Sequence, residues 1–344
     1  MSKKNHNKSF DKFNNITENN EETREVVEIQ EEAPELPEVQ EDALEVSEEV
    51  PELPEVNEDE APKIETFDEN NFLGWKKVEI ETLRDKDGNC ICVGSREFIN
   101  RFISVVPALT IPNRIFQNLR SEAIRISEQI KNIGNVNFEF AINQTTFEFK
   151  LLKFSLNSTD TLIEQATNFP MEKILERVLV GEMLDQIEED GALAYIEPSF
   201  KEILLNIDGE YTVKADNLEK CIIEVNCKSK GLGDYFIEED LMDQEKEYFE
   251  KELSKNNEDV LLIAAEAIRK EMSVERVCEL TKIDKYFIGS IYKIIKVERE
   301  LALNYLNYKL IQKAQNTGFT VKAIAFLAAK DEKDIERIIS KNNI

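Results

Sequence analysis

The chain has 344 residues, enough for two domains of ordinary size, and carries 70 Asp and Glu against 43 Lys and Arg, a net charge of -27. Residues 1–70 hold 23 of those acids and six of the bases, so this stretch alone contributes -17. Charge of that sign opposes nonspecific binding to nucleic acid or to an anionic membrane, and the lone histidine, His6, takes imidazole out of acid–base work, nucleophile triads and metal ligation beyond the N-terminal stretch.

Glycine is scarce, 11 residues where average usage would give roughly 24, and neither G-x-G-x-x-G nor G-x-x-x-x-G-K-[ST] occurs. No stretch approaches the roughly 20 apolar residues of a membrane helix. Met1 to Phe10 is polar and basic, without the apolar run of a signal peptide. The expectation is a cytoplasmic chain with no membrane contact, its five cysteines reduced.

The segment 1–70 reads as a disordered acidic arm. It repeats Pro-Glu-Leu-Pro-Glu-Val at 34–39 and 51–56 within Glu-rich sequence. It is either a solubilising tail or a ligand for a basic, apolar groove on a partner. From Phe72 the pattern changes. Lys77 to Leu83 alternates, Asp87-Gly88 turns, and Asn89 to Val93 returns, predicting a β-hairpin. Pro112 opens a helix to about Lys131 with Ile115, Leu119, Ala123, Ile126 and Ile130 on one stripe. Phe138, Phe140 and Ile142, a turn at 143–146, then Phe147, Phe149 and Leu151 predict a second hairpin with one buried face.

Pro170 to Leu184 reads as helix and 191–227 as mixed short strands. Gly231-Leu232-Gly233 reads as a turn, and nearly everything beyond Glu238 as helix. An ungapped repeat offset by 47 residues closes the chain. Ser273, Val277, Leu280, Asp284, Ile288 and Ile291 recur as Thr320, Ile324, Leu327, Asp331, Ile335 and Ile338. Each copy predicts a helix-turn-helix with Ser273 or Thr320 and then Asp284 or Asp331 as N-caps, the copies packing together. Val277, Leu280, Ile283, Ile288, Ile291, Ile324, Leu327 and Ile335 are the candidate oligomerisation residues, and the row Ile288, Ile291, Ile294, Ile295 and Leu301 is expected to be exposed for association.

Over nearly all of 70–344 these residues resemble the large chain of carbamoyl-phosphate synthetase, namely the last lobe of its first ATP-grasp module followed by its oligomerisation domain. The resemblance rests on Leu73-Gly74-Trp75-Lys76 with Glu79 and Glu81, on Arg84-Asp85 with Asn89-Cys90, on Val106-Pro107-Ala108-Leu109-Thr110, on Ala166-Thr167-Asn168-Phe169-Pro170, and most specifically on Met272 to Phe287. It implies an α+β fold: an acidic arm over 1–70, a partial ATP-grasp-like antiparallel sheet with flanking helices over 71–235, and a helical oligomerisation domain over 236–344.

The resemblance also implies phosphoryl transfer from ATP, which needs oxygen ligands for magnesium and cations around the phosphates. Glu139 stands where the family has a metal-binding Gln. Lys150 to Ser155 replaces a run that supplies a carboxylate and an amide to the metal, and Lys77 replaces a glutamate at the nucleotide site. No cofactor is therefore expected, and the expected role is non-catalytic, as a homo-oligomer or a hetero-oligomer with a carbamoyl-phosphate synthetase chain. The alternatives are a split ligase using ATP with magnesium, completed in trans, and a DNA-binding regulator. Residues 261–344 carry 15 Lys and Arg against 11 Asp and Glu, too thin a basic patch to make nucleic acid the expected partner.

At single residues the plainer readings are preferred. Cys90 and Cys92 share a strand face but need about two more ligands for zinc. Glu139 with Glu148 reads as a solvated sheet face, and Trp75 as a core anchor.

Overall fold

Alternating apolar and polar residues commit the first part of the chain to sheet, and a 3.6-residue apolar period commits the last part to helix. The structure, a computed structural model, describes residues 64–72, 74–189, 202–234, 236–237, 241 and 244–342. The disorder expected of 1–63 and the strands expected within 191–201 lie outside them. Residues 64–70, expected to belong to the arm, are placed: Phe67 N–H donates to Leu151 O at 3.0 Å, and Glu69–Phe72 forms a 3-10 turn.

Strands β1 (Lys76–Arg84), β2 (Cys90–Phe98), β3 (Ile103–Val106), β4 (Gly134–Ile142), β5 (Phe149–Leu156), β6 (Ile203–Ile207) and β7 (Tyr211–Ala215) form one antiparallel sheet in the order β5-β4-β1-β2-β3-β6-β7. Both expected hairpins are present. One face of β1 and β4, with Val78, Ile80, Phe138 and Phe140, packs on helix α1 (Asn113–Ile130) through Leu119, Ala123 and Ile126. Ile115 and Ile130 at the ends of the stripe are only half-buried.

On the opposite face, α2 (Thr161–Thr167) and α3 (Met171–Leu179) cover Leu83 and Val93. Here a glycine is required: a Cβ at Gly94 would lie 2.5 Å from Ile163 Cγ2. The helix expected to run from Pro170 to Leu184 is interrupted at 180–183, where Gly181 takes φ +99°, and resumes as α4 (Leu184–Glu189). The strand expectation for 191–227 holds for β6 and β7 and fails beyond them. Asn217 Oδ1 accepts the Lys220 N–H, and the chain turns into helix α5 (Leu218–Lys230), which Gly231 ends at φ +67°.

The remaining helices are α6 (Lys246–Lys255), α7 (Val260–Arg269), α8 (Val274–Thr281), α9 (Lys285–Leu303), α10 (Tyr308–Thr317), α11 (Val321–Leu327) and α12 (Glu332–Asn342). The repeat reading is met at three of the four expected caps; at Asp331 it is the backbone carbonyl that accepts Asp334 N–H, at 2.9 Å. Ser273 Oγ accepts Arg276 N–H at 3.2 Å, Thr320 Oγ1 accepts Ala323 N–H at 3.1 Å, and Asp284 Oδ1 accepts Tyr286 N–H at 2.7 Å. The two copies touch where α9 meets α11.

The expected exposure of the aliphatic row is corrected by this packing. Ile288, Ile291, Ile294, Ile295 and Leu301 are buried, because α9 lies against α5, α7, α8, α10 and α11. Val277, Ile283, Ile324 and Ile335 are buried in the same intrachain core, while Leu280 and Leu327 are half-buried at its margin. That core is continuous with the sheet: Ile103, Val105, Leu205 and Val213 belong to the same cluster as α5 and the helices after it.

A buried charge cluster ties α7 to α9. Arg269 Nε and Nη2 meet both carboxylate oxygens of Glu298 at 2.8 and 2.7 Å, its Nη1 meets Glu266 at 2.5 Å, and Nη2 also donates to Phe236 O at 2.6 Å. Replacing Arg269 with alanine would leave two buried carboxylates without their cation. The expected loss is about 3–5 kcal/mol, read as the change in urea midpoint at unchanged m-value.

Candidate functional site

A row of charged side chains crosses the sheet on the face away from α1. In register, Lys153 on β5 stands beside Glu139 on β4, Glu139 beside Glu79 on β1, and Glu79 beside Arg96 on β2. Lys153 Nζ meets Glu139 Oε1 at 2.5 Å, and Lys77, two residues before Glu79 on β1, ion-pairs with the other oxygen. Arg96 Nη1 lies 3.5 Å from Glu79 and 3.3 Å from Asp160, while its Nε donates to Ser104 Oγ at 2.9 Å. Asp160 also caps α2, its Oδ1 accepting Leu162 N–H at 2.8 Å. The row lines a cleft of about 430 Å³.

The electrostatics follow from burial. Loss of water pushes the Glu79 carboxyl up to about 7, with Asp160 and Glu139 adding to the rise and Arg96 opposing it. Glu81, fully buried on the same strand, is pushed up to about 8 by burial, only partly offset by Asn135 Nδ2 at 3.2 Å and Asp160 N–H at 3.4 Å. Among the described residues, Glu81 Oε2 and Asn135 Oδ1 have no hydrogen-bond partner. Lys153 is shifted upward by its hydrogen bond to Glu139.

A second cleft, of about 500 Å³, lies where the β1–β2 end of the sheet meets α8 and α9. Lys76 Nζ meets Asp284, the cap of α9, at 2.6 Å and hydrogen-bonds Thr110. Glu97, buried beneath it, accepts Leu109 and Thr110 N–H at 2.8 and 2.9 Å. Asn100 Nδ2 reaches Asn256 Oδ1 and Asn257 O, both at 3.0 Å. Trp75 is half-buried at this cleft's rim, edge-on to Phe72 at 4.8 Å, rather than the core anchor expected.

Of the residues singled out from sequence, Glu139 sits in the charged row. Glu148 does not join it: that carboxylate is exposed at the hairpin end, paired with Lys150 at 3.1 Å. Cys90 and Cys92 are held by burial at about 11 and about 12, and no cluster of three His, Cys, Asp or Glu suited to a metal occurs among the described residues. Glu79, Glu81, Arg96 and Asp160 were not singled out. Glu79 and Glu81 stand out in the sequence only within the family resemblance, since charges alternating along a strand read equally as a solvated face, and Arg96 and Asp160 carry no comparable signal.

Two family models match. Residues 44–187 match the carbamoyl-phosphate synthase L chain ATP-binding domain, and residues 214–343 match the carbamoyl-phosphate synthetase large-chain oligomerisation domain. Carbamoyl phosphate synthase large chains from Thermoanaerobacter sp. (strain X514) and Caldanaerobacter subterraneus subsp. tengcongensis are similar over 313 residues, at 26% and 27% identity. The matches cover 80% of this chain and 29% of each relative's length. Among solved structures, a multifunctional pyruvate carboxylase from Rhizobium etli aligns over 38% of this chain and 13% of its own, at 19% identity and a TM-score of 0.34. Biotin carboxylase from Campylobacter jejuni aligns over 39% and 30%, at 18% identity and 0.32. Likeness at that level carries no argument here.

Glu81 makes stability depend on pH. An unfolded glutamate titrates near 4.5 and the folded one near 8, so the folded chain holds the proton more tightly. The stability this confers is complete below pH 4.5 and is lost as pH rises through 8, at up to about 1.4 kcal/mol per pH unit. Glu81→Gln is therefore expected to leave stability near pH 4.5 almost unchanged and to raise it above pH 8. Thermal melts of both proteins across that range would show the difference; parallel curves would refute it.

The chain is similar to the carbamoyl-phosphate synthetase large chain, residues 44–187 matching that family's ATP-binding domain and residues 214–343 its oligomerisation domain.

Proposed function

We propose that this chain is a non-catalytic relative of the carbamoyl-phosphate synthetase large chain whose role is assembly, with itself or with a chain of the synthetase, through its helical part over 236–344. The observation that carries the reading is the clamping of Glu139 between Lys77 and Lys153. Phosphoryl transfer from ATP needs oxygen ligands around magnesium. Here the strand position in register with Glu139 offers an ammonium group instead. A divalent ion roughly 4 Å from one such ammonium is opposed by about 8 kcal/mol at an effective dielectric of 20, before the second lysine is counted. No cofactor is required for the assembly role.

The match of 214–343 to an oligomerisation domain supports assembly. The association surface is not the row of α9 isoleucines, which the intrachain core consumes. Half-buried Leu280 and Leu327 lie at its margin, and Phe326, next to Leu327 in sequence, is exposed.

The rival reading is a ligase completed by another polypeptide, favoured by the carboxylates of Glu79, Glu139 and Asp160 that line the 430 Å³ cleft. Titrating ATP with magnesium into the purified chain by calorimetry separates the two. No heat is expected at concentrations that would register a sub-millimolar affinity; binding abolished by Glu139→Ala would establish the rival. Sedimentation velocity over a wide concentration range, alone and with a synthetase large chain, is expected to show a mass increase. A strictly monomeric species in both series would defeat the assembly reading.

A further inference from the structure

Against the chain's net charge of -27, one groove is basic. It runs between α9 and α10 with a volume of about 660 Å³. Its rim is Lys293 and Lys296, one turn apart on α9, and Lys309 and Lys313, one turn apart on α10. Buried Val297, with the aliphatic stems of the lysines, makes the floor apolar. Two of the four ammonium groups have carboxylate partners: Lys293 meets Glu219 at 2.9 Å and Lys313 meets Glu300 at 2.5 Å. Lys296 on α9 and Lys309 on α10 both line the groove, are exposed and have no ion pair among the described residues, so an anion entering it finds a lysine without a carboxylate partner on each of the two helices.

We propose that this groove binds an acidic, proline-punctuated peptide segment. The two chemistries of the groove specify it. A ligand must carry carboxylates for the rim and aliphatic side chains for the floor, on different edges of one narrow strand. A polyproline II peptide has three residues per turn and rises about 3.1 Å per residue, so residues three apart share an edge about 9 Å apart. In Pro-Glu-Leu-Pro-Glu-Val that period puts both glutamates on one edge and Leu with Val on another. Proline also lowers the entropy lost on docking. This chain carries that hexapeptide twice in sequence, at 34–39 and 51–56, which supplies the probe. A nucleic-acid backbone offers the charge without the aliphatic edge.

The test uses the full chain and a fluorescein-labelled peptide of two Pro-Glu-Leu-Pro-Glu-Val units, read by fluorescence anisotropy. Saturable binding that weakens with added salt is expected, reduced at least about tenfold in the K296E/K309E variant and reduced also when Leu and Val of the peptide become serine. Both lysines are exposed, and an unchanged melting curve certifies the variant; K296Q/K309Q, which removes charge without reversing it, should fall between it and the parent. Absence of saturable binding, equal binding by the K296E/K309E variant, or tighter binding of a single-stranded oligonucleotide than of the peptide would each overturn the proposal. None of these results depends on whether the chain assembles or binds ATP.

Discussion

The structure depends on one continuous apolar cluster that begins on the sheet and ends in the last helix. Ile103 and Val105 on β3, Leu205 and Val213 on the strands beside it, the buried face of α5, the apolar residues of α7 from Val260 to Ile268 and the isoleucines of α9 all belong to it. Because sheet and helices share this core, neither can shift without exposing the other's apolar surface. The polar ties at the same junction, Lys76 to Asp284 and Asn100 to the turn at 256–257, add direction to a contact whose driving force is burial.

Sharing the core fixes what is left for the surface. The α9 isoleucines look from their spacing like a sticky face, and a helix packed on five neighbours uses all of them. What reaches solvent between α9 and α10 is the complementary face, four lysines over a valine floor. The association attributed to the helical part and the peptide groove between its helices therefore draw on different residues.

The charged row on the sheet shows the opposite economy. A sheet face that buries Glu79, Glu81, Glu139 and Asp160 together is costly unless cations or protons neutralise it. This chain uses both: Lys77, Lys153 and Arg96 pair with three of the acids, and burial keeps Glu81 protonated up to about pH 8. A site arranged to recruit magnesium would leave its carboxylates uncompensated until the ion arrived. Here the compensation is built into the chain.

The sequence determined the hairpins of β1–β2 and β4–β5, helix α1, the capped helix-turn-helix repeat and the α+β class, because alternation, periodicity and capping chemistry act within a few residues of chain. It also carried the family likeness through runs such as Met272 to Phe287. Only the tertiary structure decided that α5 is helix where short strands were expected, that Trp75 sits at a cleft rim, and that the repeat's aliphatic rows are core. Likewise Lys153 and Lys77 reach Glu139 from two different strands, and Lys296 and Lys309 line one groove from two different helices. Such pairings depend on which distant elements the shared core brings side by side, and a local pattern that says which face is apolar does not say what will cover it.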